Sequence, residues 1–213
     1  MTTVTITTVP VGVLGTNCYL VASGAGSCAI IDPGAQPGKI ADTITRMGWK
    51  PQMILLTHGH HDHIGAVGKL RAQFDDIPVY IGANDEEMLA DGSKSMAMFR
   101  TDDDEEFLIA GAQIVTEGDS IPLDELDFVI LDTPGHTRGG VVYVCGEALF
   151  AGDTLFRENV GRTDLYGGDY ATLCKSLQKL AALPGDYTVY PGHGESTTLA
   201  YEKRSNPYMR GGL

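Results

Sequence analysis

The segment Met53-Ile54-Leu55-Leu56-Thr57-His58-Gly59-His60-His61-Asp62-His63 decides how the rest of the chain is read. Its first five residues form an apolar run of strand length, and the run ends abruptly in imidazoles and a carboxylate. A strand that stops at such a cluster delivers several ligands from one rigid edge. Neutral imidazole and carboxylate are the donors of zinc and of comparable divalent metals. Further along, Thr133-Pro134-Gly135-His136 and Tyr190-Pro191-Gly192-His193 repeat one local design, a strand followed by Pro-Gly-His, and Phe150-Ala151-Gly152-Asp153 matches it with an aspartate. A lone histidine in a loop is ordinarily a surface or core residue. Here five of the six histidines (His58, His60, His63, His136 and His193) fall into one pattern with Asp62 and Asp153, which points to a shared metal centre. His61 is the remaining one, expected to face solvent or pack locally.

The elements around these motifs alternate. Strand signals run over Val4 to Val9, Asn17 to Val21, Ala29 to Asp32, Met53 to Thr57 and Pro78 to Ile81. They resume at Ile114 to Val115, Asp127 to Leu131, Val141 to Cys145, Leu149 to Phe150 and Val189 to Tyr190. Helical spacing covers Gly38 to Met47, a stretch from Ile64 to about Phe74, Asp85 to Ala90, Tyr170 to Leu183 and a closing helix over Glu195 to Arg204. Two groups of strands, each followed by helices, give an α/β protein in which helices cover packed sheets rather than one doubly wound sheet. The ligand candidates lie where strands end, in Gly- and Pro-rich loops that turn sharply.

Composition narrows the function classes. With 213 residues, 43% hydrophobic and 20% charged, the chain fits one globular domain, residues 1–213. No apolar stretch approaches the roughly 20 residues of a membrane span, and the N-terminus lacks a signal-peptide pattern, so a cytoplasmic location is expected with no membrane partner. The net charge of −13 leaves no basic footprint for nucleic acid. The acidic run Asp102 to Glu106 reads as a solvated loop. Cys18, Cys28, Cys145 and Cys174 have no C-x-x-C pairing and read as buried free thiols.

On these motifs the chain resembles the metallo-β-lactamase-fold hydrolases over nearly its whole length. Asp32 matches that family's first motif, His58, His60, Asp62 and His63 its second, and His136, Asp153 and His193 the third to fifth. The resemblance implies a four-layer αβ/βα sandwich, two mixed sheets flanked by helices, with the site at one edge. It assigns His58, His60 and His136 to one metal and Asp62, His63 and His193 to another, with Asp153 between them and Asp32 orienting the ligands. Seven ligands exceed one tetrahedral zinc but suit two divalent ions about 3.5–4 Å apart, zinc first, with iron and manganese also fitting. A bridging water acidified towards a pKa of about 7 would then be the hydroxide nucleophile, with Asp62 and Asp153 as the catalytic carboxylates.

Ligand details select a branch. The commonest class B β-lactamases carry cysteine at the position of Asp153. Diiron flavoproteins have glutamate at the position of His60, and RNA-processing members carry extra nucleic-acid-binding parts. Gly152-Asp153-Thr154-Leu155-Phe156, Val160-Gly161-Arg162-Thr163-Asp164, Tyr190-Pro191-Gly192-His193-Gly194 and the ending Glu202 to Asn206-Pro207-Tyr208 are similar to the short bacterial glyoxalase II-like group. That resemblance implies hydrolysis of a small-molecule thioester such as S-D-lactoylglutathione. Full-length glyoxalase II has a further C-terminal helical domain that holds glutathione, which this chain is expected to lack. The Gly161-Arg162-Thr163-Asp164 stretch is also shared with persulfide dioxygenases, an alternative in which His58, His136 and Asp153 would hold a single iron. A non-catalytic metal-binding module is a third reading, for which so large a ligand set is surplus. Arg162 and Asp164 are expected to pair with each other, and Arg157, Tyr166 and Met96 to Arg100 to line the pocket.

Overall fold

The computed structural model describes residues 4–99 and 107–210. Arg100 and the acidic run Asp102 to Glu106 lie outside the described residues. The chain starts with strands β1 (Thr5–Val11), β2 (Thr16–Ala22) and β3 (Ser27–Ile31), then helix α1 (Pro37–Met47) and strand β4 (Lys50–Leu55). Two short helices follow, α2 (His61–Ile64) and α3 (Val67–Gln73), then β5 (Val79–Gly82), α4 (Glu86–Leu89) and β6 (Gln113–Val115). The second half has β7 (Ser120–Leu123), β8 (Leu126–Asp132), β9 (Val141–Cys145), β10 (Ala148–Gly152) and a small ribbon, β11 (Leu155–Phe156) with β12 (Asn159–Val160). It closes with α5 (Tyr170–Ala181), β13 (Thr188–Pro191), β14 (Thr197–Thr198) and α6 (Leu199–Ser205).

One six-stranded sheet has the order β1-β2-β3-β4-β5-β6 and the other β14-β13-β10-β9-β8-β7; both mix parallel and antiparallel pairs. The alternation of side chains along each strand shows how the layers stack. Strand β2 is buried at every position because both its faces are covered. Cys18 and Leu20 pack with Ile40, Ile44, Val67 and Leu70 of α1 and α3, whereas Tyr19 and Val21 face Phe128, Ile130, Tyr143 and Phe150 of the other sheet. In that second sheet Val142, Leu149 and Val189 turn the opposite way, onto Leu173, Leu177 and Leu180 of α5 and Leu199 of α6. The order is therefore helices, sheet, sheet, helices: the four-layer sandwich expected from the family resemblance.

Helix α5 begins where the Asp169 side chain accepts from Thr172 N, and α6 where Thr198 accepts from Tyr201 N. That second cap corrects the expected closing helix. It starts at Leu199 rather than Glu195, because Thr197 and Thr198 are paired with Val189 and Thr188 as a strand. The helix expected from Ile64 to Phe74 is interrupted at Gly65 and Ala66. Among the described residues no helix is long and apolar enough to cross a membrane. The four cysteines are free, three of them buried.

Candidate metal centre

Strand directions bring the motifs together. β8 and β10 each run antiparallel to β9, and β13 runs parallel to β10, so β8, β10 and β13 all point the same way. Their C-terminal ends release His136, Asp153 and His193 at one edge of the second sheet. In the first sheet β4 runs out into His58 and His60, and the single turn of α2 carries Asp62 and His63. Backbone contacts lock the two edges: Val141 N donates to Thr57 O, and Asn17 N to Gly192 O, each at 2.8 Å.

The donor atoms converge in three overlapping groups, His58/His60/His136, His58/His63/Asp153 and Asp62/His63/His193, each with its atoms within 4.8 Å of one another. His60 Nδ1 lies 2.9 Å from His136 Nε2. Asp153 sits between the groups, its Oδ1 3.4 Å from His63 Nε2 and its Oδ2 3.6 Å from both His136 Nε2 and His193 Nε2. Asp62 Oδ2 is 3.2 Å from His193 Nε2 and 3.6 Å from His63 Nε2. All seven sequence-predicted ligand residues thus share one cage.

Surrounding hydrogen bonds fix which ring nitrogen each histidine presents. His63 Nδ1 donates to Asp32 Oδ2 at 3.0 Å, His136 Nδ1 to Arg162 O at 2.7 Å and His193 Nδ1 to Leu14 O at 3.2 Å. These partners only accept, so each ring carries a proton on Nδ1 and turns its Nε2 inward. Thr57 extends the rule to His58: its hydroxyl donates to Asp32 Oδ2 at 2.7 Å and so accepts from His58 Nδ1 at 3.1 Å. Asp32 is placed by its own backbone, which takes φ 50°, a left-handed value aspartate tolerates better than most residues. Its other oxygen accepts from Thr57 N.

This arrangement leaves His58 Nε2, His60 Nε2, His63 Nε2 and Asp153 Oδ1 buried without a hydrogen-bond partner. Buried polar atoms are rarely orphaned, and imidazoles crowded around a carboxylate with no shared partner are left uncompensated. A bound cation supplies the missing partner, so the donor set fits divalent metal ions. Charge follows the same geometry. Burial and the neighbouring imidazoles hold His58 well below its ordinary pKa, and burial with His136 brings His60 down to about 3. Burial also opposes charge on His63, but Asp62, Asp153 and Asp32 outweigh it and raise its pKa well above the ordinary value. His193 is raised the same way, by Asp62 and Asp153 against burial. Asp153 is held at about 2, burial being outweighed by His63 and the other imidazoles.

A cavity of about 770 Å³ opens on the cage, walled by Leu14, Met96, Phe99, Phe156, Val160 and Leu165 beside Arg162. Arg162 and Asp164 form the expected pair, bidentate at 2.6 and 2.7 Å. Of the two settings expected for His61, the structure has local packing: it is buried at the cavity wall with its backbone N tied to Ser95 O. One expectation is corrected: Arg157 and Tyr166 turn away from the cavity, to Glu195 and to Glu87 respectively. Sequence reasoning also missed several supporting residues: Thr16, which donates to Asp62 Oδ2; Asn17 and Tyr19, which hold Pro191 O; and Asp85.

A two-sheet sandwich with a buried His/Asp cage at one edge defines a metal-dependent hydrolase fold. The chain belongs to the metallo-beta-lactamase superfamily, whose sequence profile matches residues 11–193, and whose members bind metal ions. It is 39% identical to "Probable metallo-hydrolase YqgX" of Bacillus subtilis, over 95% of this chain and 96% of that one. It is 35% identical to "Hydroxyacylglutathione hydrolase GloC" of Haemophilus influenzae, over 94% and 96%. Among solved structures it superposes on BLEG-1, described as a B3 metallo-beta-lactamase, with a TM-score of 0.90 and 34% identity over 97% of this chain and 100% of that one. It also superposes on TTHA1623 in a di-iron-bound form (TM-score 0.83, 38% identity, 95% and 99% covered) and on ETHE1 from Myxococcus xanthus (0.79, 29%, 95% and 83%).

Proposed function

We propose that this metallo-hydrolase is a thioesterase holding two divalent ions, with S-D-lactoylglutathione among its candidate substrates. The observation that carries the reading is the double ligand group joined through Asp153. His58, His60 and His136 would hold one ion, Asp62, His63 and His193 the other, and Asp153 both. When bound, such a pair supplies an acidified water as nucleophile and a Lewis acid for the carbonyl oxygen. The likeness to TTHA1623 in a di-iron form supports a two-ion site and keeps iron beside zinc as its occupant.

The chain's own residues favour a thioester. Apart from His61, every Asp and His lining the cavity belongs to the candidate ligand set, so few side chains are left to protonate a leaving group. A thiolate needs no such help, since thiols ionise near pKa 8.5, whereas an amine leaving group does. Asp62, kept ionised by His63 and His193 despite burial, serves as ligand and hydrogen-bond acceptor rather than as acid. The apolar wall excludes water around the acyl group and orients it towards the open side of the cage, at His193 and Asp62. Glutathione thioesters gain support from GloC: this chain covers 96% of that relative, which leaves no room there for a further glutathione-binding domain.

The second reading, a single-iron persulfide dioxygenase using His58, His136 and Asp153, has the ETHE1 likeness in its favour. It leaves the convergence of Asp62, His63 and His193 on Asp153 without a purpose. The test is a substrate panel run on purified protein with metal analysis: thioesters including S-D-lactoylglutathione, a β-lactam, and glutathione persulfide with oxygen consumption recorded. Thioester hydrolysis without oxygen uptake is expected. One iron per chain with oxygen uptake would overturn the proposal.

A further inference from the structure

Asp85 is fully buried at the end of a single helical turn over Ala83–Asp85, between β5 and α4, and it ligates nothing in the cage. Its carboxylate nevertheless accepts three hydrogen bonds, all from the two loops that carry His58, His60 and His136. Gly59 N, between His58 and His60, donates to Oδ2 at 3.1 Å. Thr137 Oγ1, the residue after His136, donates to Oδ2 at 2.7 Å, and Gly139 N to Oδ1 at 2.6 Å. The two loops come from different sheets and meet here on one side chain.

The packing is equally close. A Cβ at Gly59 would come within 2.6 Å of Met88 Cβ, and one at Gly139 would overlap Asp85 N and the Asn84 carbonyl carbon. Both loops therefore press their bare backbone against the Ala83-to-Met88 segment, and Asp85 bridges the gap between them. Burial works against a charge here: the carboxyl's pKa is raised even with three donors around it. A residue kept buried at such a cost, when a neutral one would serve packing alone, has a directed task.

We propose that Asp85 is a positioning residue that sets the spacing of His58, His60 and His136, and hence the metal affinity of that ligand group alone. Asp62, His63 and His193 have a separate support: Thr16 on Asp62, Asp32 on His63, and the Leu14 carbonyl on His193. Asp85 touches none of these. Replacing Asp85 by Asn keeps the volume but exchanges one acceptor oxygen for an NH₂ that faces donors, so at least one loop loses its tie.

The proposal rests on the two-ion reading, and cobalt(II) titration followed by absorption spectroscopy separates the two. Wild-type protein taking up a single ion would refute the two-ion reading itself. Given two ions in the wild type, Asp85→Asn is expected to weaken one of them by about 10–100-fold, the usual effect of losing an outer ligand partner, while the other stays within about twofold. Thr137→Val, which removes one of the three donors and leaves the carboxylate in place, is expected to weaken the same ion by a smaller factor. It carries the test alone if Asp85→Asn does not fold. Equal weakening of both ions, or no change in either, would overturn the assignment.

Discussion

His58, His60 and His136 are nearly sealed, at 2%, 4% and 5% exposure; in the other group His63 is fully buried, but the side chains of His193 and Asp62 keep 27% and 17% of their surface exposed at the cavity. The two ligand groups differ in charge as well. His58 and His60 are driven neutral by burial and by each other's neighbourhood, whereas His63 and His193 are surrounded by Asp32, Asp62 and Asp153 and tend to keep a proton. The sealed group is held close together before any cation binds, with His60 Nδ1 2.9 Å from His136 Nε2. The open group must give up protons before it can take one. On the two-ion proposal, the site would combine a firmly held position with an adjustable one beside the cavity.

The largest effect is expected where the groups join. Asp153→Ala should take hydrolysis to background and remove one or both ions, because its two oxygens face His63, His136 and His193. Retained turnover in metal-replete Asp153→Ala protein would break the shared-ligand assignment. Next comes Gly192→Ala. A Cβ there would overlap Asp153 Oδ1 and press on His63 Cε1, so the open group should lose its ion while the sealed group keeps its own, as read by metal analysis.

A graded effect comes from pH. Protons compete with metal only where they must be expelled. His63 and His193 have raised pKa values, so affinity of the open group should fall as pH is lowered and these rings take up protons. His60, already down at about 3, and His58, also lowered, release none, so neither adds to the pH dependence of the sealed group. In metal-free protein the same shifts act on stability with opposite signs. The lowered histidines contribute stability that declines as pH drops below about 6.5, and the raised ones stability that declines as pH climbs through their folded values. Metal titrations showing equal slopes for both ions would erase the distinction. The smallest effect belongs to Asp164→Asn: the Arg162–Asp164 pair is solvent-exposed and screened, so metal content and the thermal midpoint should not move.

Much of this was legible in the sequence because ligand chemistry compresses into short spacing. The apolar run into His58-Gly59-His60-His61-Asp62-His63 and the repeated Pro-Gly-His loops each occupy a few consecutive residues, and a strand end is enough to aim them. The sheets were legible for the same reason: Val141 to Cys145 and the strands around it alternate cleanly between the inter-sheet core and the outer helices. What stayed hidden depends on contacts between distant segments. Asp85 meets residues 26 and 54 positions away, and Asn17 reaches Pro191 O across 174. Neither polar side chain differs locally from an ordinary surface residue. The two-residue strands β11, β12 and β14 carry no periodicity of their own. The ribbon β11–β12 is held from outside: buried Asn206 donates to the carbonyls of Phe156 and Asn159, and Glu202 accepts from Glu158 N.

The most direct test counts metal and turnover in the same sample. Wild-type protein loaded with zinc or iron should bind two ions per chain and hydrolyse a thioester, with activity lost on chelation and restored by either metal. One ion at full activity, or oxygen consumption in place of thioester hydrolysis, would contradict the two-group account of the site.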